Sequence, residues 1–195
     1  LANPQGLAIG AGTLFVFDAM NNRVLGYVNP YGDFTADFAI GQPDLATVTG
    51  DPPSASRIGG GDNGLAVDGE GRLFAALLLD NRVLRFSPPF ASNMSADLVL
   101  GQADFVSTAP GTTASTFSGP LGIAVDASGG VLVADYANSR VVRFAPPLSS
   151  GMAATGVLGQ PGFVTQASGT TGSALNSPVG VAVDRAGGVY VNDYF

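Results

Sequence analysis

Short apolar runs, broken by small and polar residues, recur along this chain at one fixed distance. Gly6, Gly64, Gly122 and Gly180 each stand 58 residues from the next, within GLAIG, GLAVD, GIAVD and GVAVD. A second apolar run follows each of them: TLFVFD, RLFAAL, VLVADY and VYVNDY. Three continue into NNRVLGY, DNRVLRF and NSRVVRF, and close on AIGQPDL, VLGQADF and VLGQPGF. A unit of this size cannot bury its own apolar face, so a fixed period predicts copies stacked on one another.

The third repeat shows the unit most clearly. Gly122 to Asp126 reads as a strand, Ala127 to Gly130 as a turn, Val131 to Asp135 as a second strand, and Tyr136 to Ser139 as a second turn. Arg140 to Phe144 alternates Val and Arg as a half-buried strand does. Ala145-Pro146-Pro147 stops it, because proline donates no ladder hydrogen bond. Thr155 to Gly159 then makes a fourth, outer strand. The tight turns require antiparallel neighbours. Four-stranded antiparallel units at a fixed period predict an all-β fold, a β-propeller. The alternative is a parallel β-helix, whose coils are shorter and more uniform. The repeats fall at 1–58, 59–116 and 117–174, with an incomplete one at 175–195, about three and a half blades in a single domain.

Composition agrees with strands and turns. The chain has 28 Gly and 13 Pro, and no run with the helical 3.6-residue period stands out. All eight basic residues are Arg, and fourteen of the fifteen acids are Asp, the exception being Glu70. The net charge of −7 makes nucleic acid a poor partner, since phosphate binding needs clustered cations. With no Cys and no His, disulfides, thiolate chemistry and the commonest general base and metal ligand are excluded. The longest apolar run, Leu73 to Leu79, is too short to cross a bilayer, so no membrane insertion is expected. The start at Leu1, on a repeat boundary, reads as processed or truncated.

The patterns P-x-G-[IV]-A-V-D, G-x-V-x-V-A-D and N-x-R-V-x-x-F resemble the NHL repeat, and the VLGQPDF-like close resembles its long bacterial form. The resemblance runs through essentially the whole chain. It implies a six-bladed ring, a bacterial source and an exported or cell-surface location. The Ala, Gly, Val and Arg bias without Lys fits a GC-rich bacterial genome. Six repeats need roughly 350 residues, so the chain is expected to be a fragment, or to have its ring completed by copies or another chain. Exposed blade edges predict that, expressed alone, it is insoluble, oligomeric or partly unfolded.

Asp18 with Arg23, and Asp135 with Arg140, flank the turn after the second strand. They are expected to clamp it with charge-assisted hydrogen bonds rather than to act in catalysis. The second repeat keeps Arg82 but has Leu77 in place of the Asp, so Arg82 must find another acceptor. In an antiparallel meander that turn shares a face with the long connections Pro43 to Asn63, Ala103 to Pro120 and Pro161 to Pro178. Loops on a rigid scaffold commonly carry binding. The turn supplies Ala19-Met20, Leu78-Leu79, Tyr136-Ala137 and Tyr194-Phe195, which form an apolar rim or pack beneath the loops. Leu78, Leu79, Tyr136 and Tyr194 are the candidate contacts. Asp62-Asn63 and Asp68-Gly69-Glu70-Gly71 offer hard oxygens suited to Ca²⁺, but without a ligand ladder no metal or other cofactor is expected. Asn93-Met94-Ser95 is a glycosylation sequon.

Two functions fit these features. One is a non-catalytic binding or structural module for a protein or glycan. The other is part of a metal-dependent enzyme, because some propellers that this chain resembles are lyases or lactonases with His, Glu, Asp and Asn ligands around a central channel. The absence of His places such a constellation outside these residues.

Overall fold

The computed structural model describes residues 1–61 and 63–195. Strands β1 (Pro4–Gly10), β2 (Thr13–Asp18), β3 (Arg23–Val28) and β4 (Phe38–Ile40) form the first antiparallel sheet, in that order. β5 (Asn63–Val67), β6 (Leu73–Leu77), β7 (Arg82–Phe86) and β8 (Leu98–Leu100) form the second. β9 (Pro120–Val125), β10 (Val131–Asp135), β11 (Arg140–Phe144) and β12 (Gly156–Leu158) form the third, and β13 (Pro178–Val183) pairs with β14 (Val189–Asp193) in a fourth. Among the described residues the only helical pieces are single 3-10 turns at Ala19–Asn21 and Tyr136–Asn138.

The sheets stack face to face. Phe15, Phe17, Val24 and Ile40 of the first sheet meet Leu73, Leu77, Leu84 and Phe86 of the second. Phe74, Val83 and Leu100 on the other side of the second sheet meet Val131, Val133, Val142 and Phe144 of the third. β6 is buried along its whole length because both of its faces are covered, which is why it reads LFAAL without alternation. Leu132, Ala134 and Val141 pack against Val181, Val183 and Val191 of the fourth sheet.

The first strands of the sheets, β1, β5, β9 and β13, stand side by side around a shared channel of about 400 Å3. Their backbones converge there. A Cβ on Gly64 would lie 2.3 Å from the Leu121 carbonyl oxygen, and one on Gly122 would lie 2.6 Å from Gly180 Cα. At Gly64 and Gly122 the glycine that marks the sequence period is thus the residue that lets neighbouring inner strands touch. This is the β-propeller architecture.

Loops lock each sheet to the one before it. The Ala39 amide donates to Ser92 Oγ at 3.0 Å, and the Asn93 amide donates back to the Ala39 carbonyl at 3.2 Å. One repeat later the Val99 amide donates to Ser150 Oγ at 3.1 Å, and the Gly151 amide to the Val99 carbonyl at 3.0 Å.

Candidate functional site

The turn between the second and third strands is built on a carboxylate. Arg23 Nε donates to Asp18 Oδ2 at 2.8 Å, and Arg140 Nε to Asp135 Oδ2 at 2.7 Å. The same oxygens accept the side-chain amides of Asn21 and Asn138 at 2.9 and 2.8 Å. The other oxygen reaches the chain entering the first strand, accepting the Ala2 amide at 2.5 Å and the Ser118 amide at 2.7 Å. Asp193 accepts the Asn176 amide in the same way at 2.8 Å. Each carboxylate of the two complete clamps therefore joins strand entry, turn and third strand.

The arginines extend the clamp outward. Arg23 Nη1 donates to the Leu45 carbonyl at 2.6 Å, and Arg82 and Arg140 donate to the equivalent carbonyls of Phe105 and Phe163. In the second sheet, where Leu77 replaces the Asp, Arg82 Nη2 donates to Asp80 Oδ2 at 2.9 Å. Asp80 occupies the turn position held by Asn21 and Asn138, so the negative charge has moved three residues along the turn. Arg82 Nε is buried without a hydrogen-bond partner among the described residues, the residual cost of that move.

A third device was not read from the sequence. Gln42, Gln102 and Gln160 are buried, and each donates from Nε2 to two places at once. One is a carbonyl of the turn: Asn22 at 3.2 Å, Asn81 at 2.9 Å and Ser139 at 3.0 Å. The other is seven residues ahead in the inter-sheet loop: Thr49 at 2.8 Å, Ala109 at 2.9 Å and Ala167 at 2.7 Å. The recurring Gly-Gln pair after each outer strand is its sequence signal.

Burial separates otherwise equivalent groups. Burial pushes the Asp18 carboxyl up, but the Ala2 amide, Asn21 and Arg23 outweigh it and leave the group below the usual carboxylate range. Asp135 makes the same set of bonds more deeply in the interior, and there burial prevails and raises it. Burial likewise pulls Arg82 down against the pull of Asp80. Asp18, Arg23, Arg82, Asp135 and Arg140 are all buried, so none offers a reacting atom to solvent.

Above these clamps the turn residues lie at different depths. Ala19 is buried, whereas Met20 is 73% and Leu79 62% exposed. Leu78 and Tyr136 are half-buried, and Ala137, Tyr194 and Phe195 are exposed. Tyr136 reaches toward the entry loop, where a Cβ on Gly119 would lie 3.9 Å from its ring. Tyr194 and Phe195 meet edge to face at 4.5 Å. The outward row is thus the second turn residue of each repeat: Met20, Leu79, Ala137 and Phe195.

The turns after the first strands hold the remaining candidate oxygens. Asp68 Oδ1 accepts the Glu70 and Arg72 amides, each at 2.9 Å, and Oδ2 meets Arg72 Nε at 2.6 Å. Glu70 lies 3.0 Å from Arg72 Nη1. Burial pushes Asp126 up, but Ser128, Arg143 and the Gly130 amide outweigh it and hold that carboxyl at about 2. Asp62 lies outside the described residues, as does the side chain of Asn63. Among the described residues no three His, Cys, Asp or Glu side chains converge as metal ligands. Asn93 of the sequon is exposed, with its Oδ1 accepting Arg57 Nη1 at 3.1 Å. No helix among the described residues is long and apolar enough to cross a membrane.

Residues 117–144, which include the clamp of the third sheet, match the NHL repeat model. Among curated proteins none matches the sequence significantly. Solved structures share the fold at low identity. A protein of unknown function from Bacteroides thetaiotaomicron aligns at TM-score 0.66 with 13% identity, over 98% of this chain and 45% of that one. An auxiliary nutrient binding protein from Bacteroides ovatus aligns at 0.62 with 11% identity, over 97% and 45%. A streptogramin B lyase aligns at 0.57 with 13% identity, over 98% and 48%. The chain spans about half the length of these structures. The chain thus contains a segment, residues 117–144, that matches the NHL repeat, within a fold that is a β-propeller.

Proposed function

We propose that this segment is a non-catalytic binding module that engages a protein or glycan through the face carrying the turns between second and third strands. One observation carries the reading. Successive repeats hold an apolar side chain outward at the same turn position, Met20, Phe195 and Leu79 most openly, while beneath them Asp and Arg side chains pair with one another and the Gln side chains donate to backbone carbonyls. A rigid scaffold with an outward apolar row is equipped to hold a partner. Leu78, Tyr136 and Tyr194 flank that row as secondary contacts. Both a nutrient binding protein and a lyase share the fold, so the fold itself does not choose between binding and catalysis. A partner outside the cell, or at its surface, suits a module of this kind.

The test is an array of defined peptides and oligosaccharides probed with the wild-type chain and a Met20→Ser/Leu79→Ser variant. A subset of spots should retain the wild type and release the variant, with an unchanged melting midpoint, because both side chains are exposed. Retention of the variant on the same spots contradicts the reading. So does metal-dependent turnover of a lactone or peptide by the intact protein.

A further inference from the structure

On the opposite face, a cavity of about 410 Å3 opens between the β3–β4 loop of the first sheet and the β7–β8 loop of the second. Its walls are Thr13, Val28, Asp37, Phe38, Phe90 and Ser92. Phe38 and Phe90 stack with ring centroids 5.7 Å apart, and Phe15 meets Phe90 edge-on at 4.9 Å, so the apolar wall is fixed from behind.

The repeat itself supplies a template for the carboxylate. Asp37 and Asp97 are equivalent: each donates its amide to the third-strand carbonyl beside it, Gly26 at 2.8 Å and Arg85 at 2.9 Å. In the second sheet Arg85 Nε donates to Asp97 Oδ1 at 2.6 Å. In the first sheet the arginine position is Gly26, and the Phe38 ring lies where a Cβ would stand, 1.9 Å from it. Asp37 Oδ2 accepts the Val28 amide at 2.7 Å, and among the described residues Asp37 has no basic partner. The first sheet thus keeps the acid, loses the internal cation and gains an aromatic wall beside the gap.

We propose that this pocket binds an arginine side chain of a protein partner. The guanidinium enters this cavity from outside, donates to Asp37 as Arg85 donates to Asp97 one sheet later, and lies against the Phe38–Phe90 pair. A planar cation suits both, since guanidinium pairs with carboxylate and stacks on aromatic faces. The hydroxyls of Thr13 and Ser92 offer acceptors for its remaining N–H groups. The same β3–β4 loop carries Asp33 and the openly exposed Tyr31 and Phe34, at 87% and 92%, which extend an acidic, aromatic approach for a basic segment. The net charge of −7 draws such a partner in. The site is separate from the apolar row and stands whether or not that row binds.

The test is a chemical-shift titration of the 15N-labelled full chain with acetyl-Gly-Arg-Gly-amide, its citrulline counterpart and a methyl glucoside. Saturable shifts confined to Thr13 and residues 26–38 and 90–92 are expected with the arginine peptide. Affinity should be at least tenfold weaker for the citrulline peptide, and at least tenfold weaker for the arginine peptide on Asp37→Asn, which keeps an acceptor for the Val28 amide. A Gly26→Arg/Phe38→Leu variant copies the second sheet, fills the pocket from within and should abolish the shifts; if it fails to fold, Asp37→Asn decides alone. Met20→Ser/Leu79→Ser should leave the titration unchanged. Equal binding of the citrulline peptide, saturation by the glycoside, an unaffected Asp37→Asn or the absence of saturable shifts overturns the proposal.

Discussion

Asp80 shows how one residue can carry a repeat past the loss of another. With Leu77 where the clamp carboxylate stands in the first and third sheets, Asp80 is what answers the fully buried Arg82. Asp80→Asn should cost about 3–5 kcal/mol in urea unfolding, the usual result of leaving a buried charge uncompensated. Leu77→Asp added to that variant restores the Asp–Asn pattern of the other two sheets and should recover much of the loss; no recovery would mean that Arg82 is held by its carbonyl partners instead. Asp126 gives the pH dependence. Its carboxyl sits at about 2 in the fold, below the ordinary value near 3.9. Its stabilisation is therefore complete above about pH 4 and is lost as pH falls toward 2. Arg143, its partner, is 38% exposed, so solvent screening leaves about 1 kcal/mol. The gap in melting midpoint between wild type and Asp126→Asn should narrow over that range. Asp135 works in the opposite sense, because burial raises it: its contribution to stability is most favourable below the ordinary carboxylate range and declines as pH rises above it.

At the scale of strands and turns, the glycine period is a statement about backbone contact. Gly122→Ala sets a methyl 2.6 Å from Gly180 Cα and 2.9 Å from the Val179 carbonyl oxygen, where only backbone could give way. It should cost about 1–3 kcal/mol and lower the melting midpoint by several degrees. Gly69→Ala, with nothing within 4 Å, is the matched control and should leave it unchanged. Strand positions and the stacked sheets were legible in the sequence because four copies repeat them at one spacing, and the Asp18–Arg23 and Asp135–Arg140 pairs because two copies place them alike. The glutamine ties were not, since a one-dimensional pattern does not say which backbone carbonyl a side chain will meet. Asp80 escaped because its replacement role acts around a turn, three residues from the position it compensates. The loss of the arginine at Gly26 gains its meaning only once β3 and β4 are paired and Phe38 is seen to stand in its place, leaving Asp37 without a basic partner among the described residues.

As a whole, the molecule is a row of sheets in which each contacts its neighbours, and its stability follows those contacts. The second sheet is covered on both faces, whereas the fourth has two described strands with largely exposed or half-buried side chains. Glycine contacts at the channel and the Ser92 and Ser150 loop bonds couple one sheet to the next. Local opening should therefore grade along the row. Hydrogen–deuterium exchange of the full chain, read peptide by peptide in wild type and Gly122→Ala, tests this directly. The slowest exchange is expected in β6 and β7 and the fastest in β13 and β14, with Gly122→Ala loosening the third and fourth sheets and sparing the first. Uniform protection across the sheets, or loosening of β1 to β4 by Gly122→Ala equal to that of β9 to β14, would contradict the stacked-blade account.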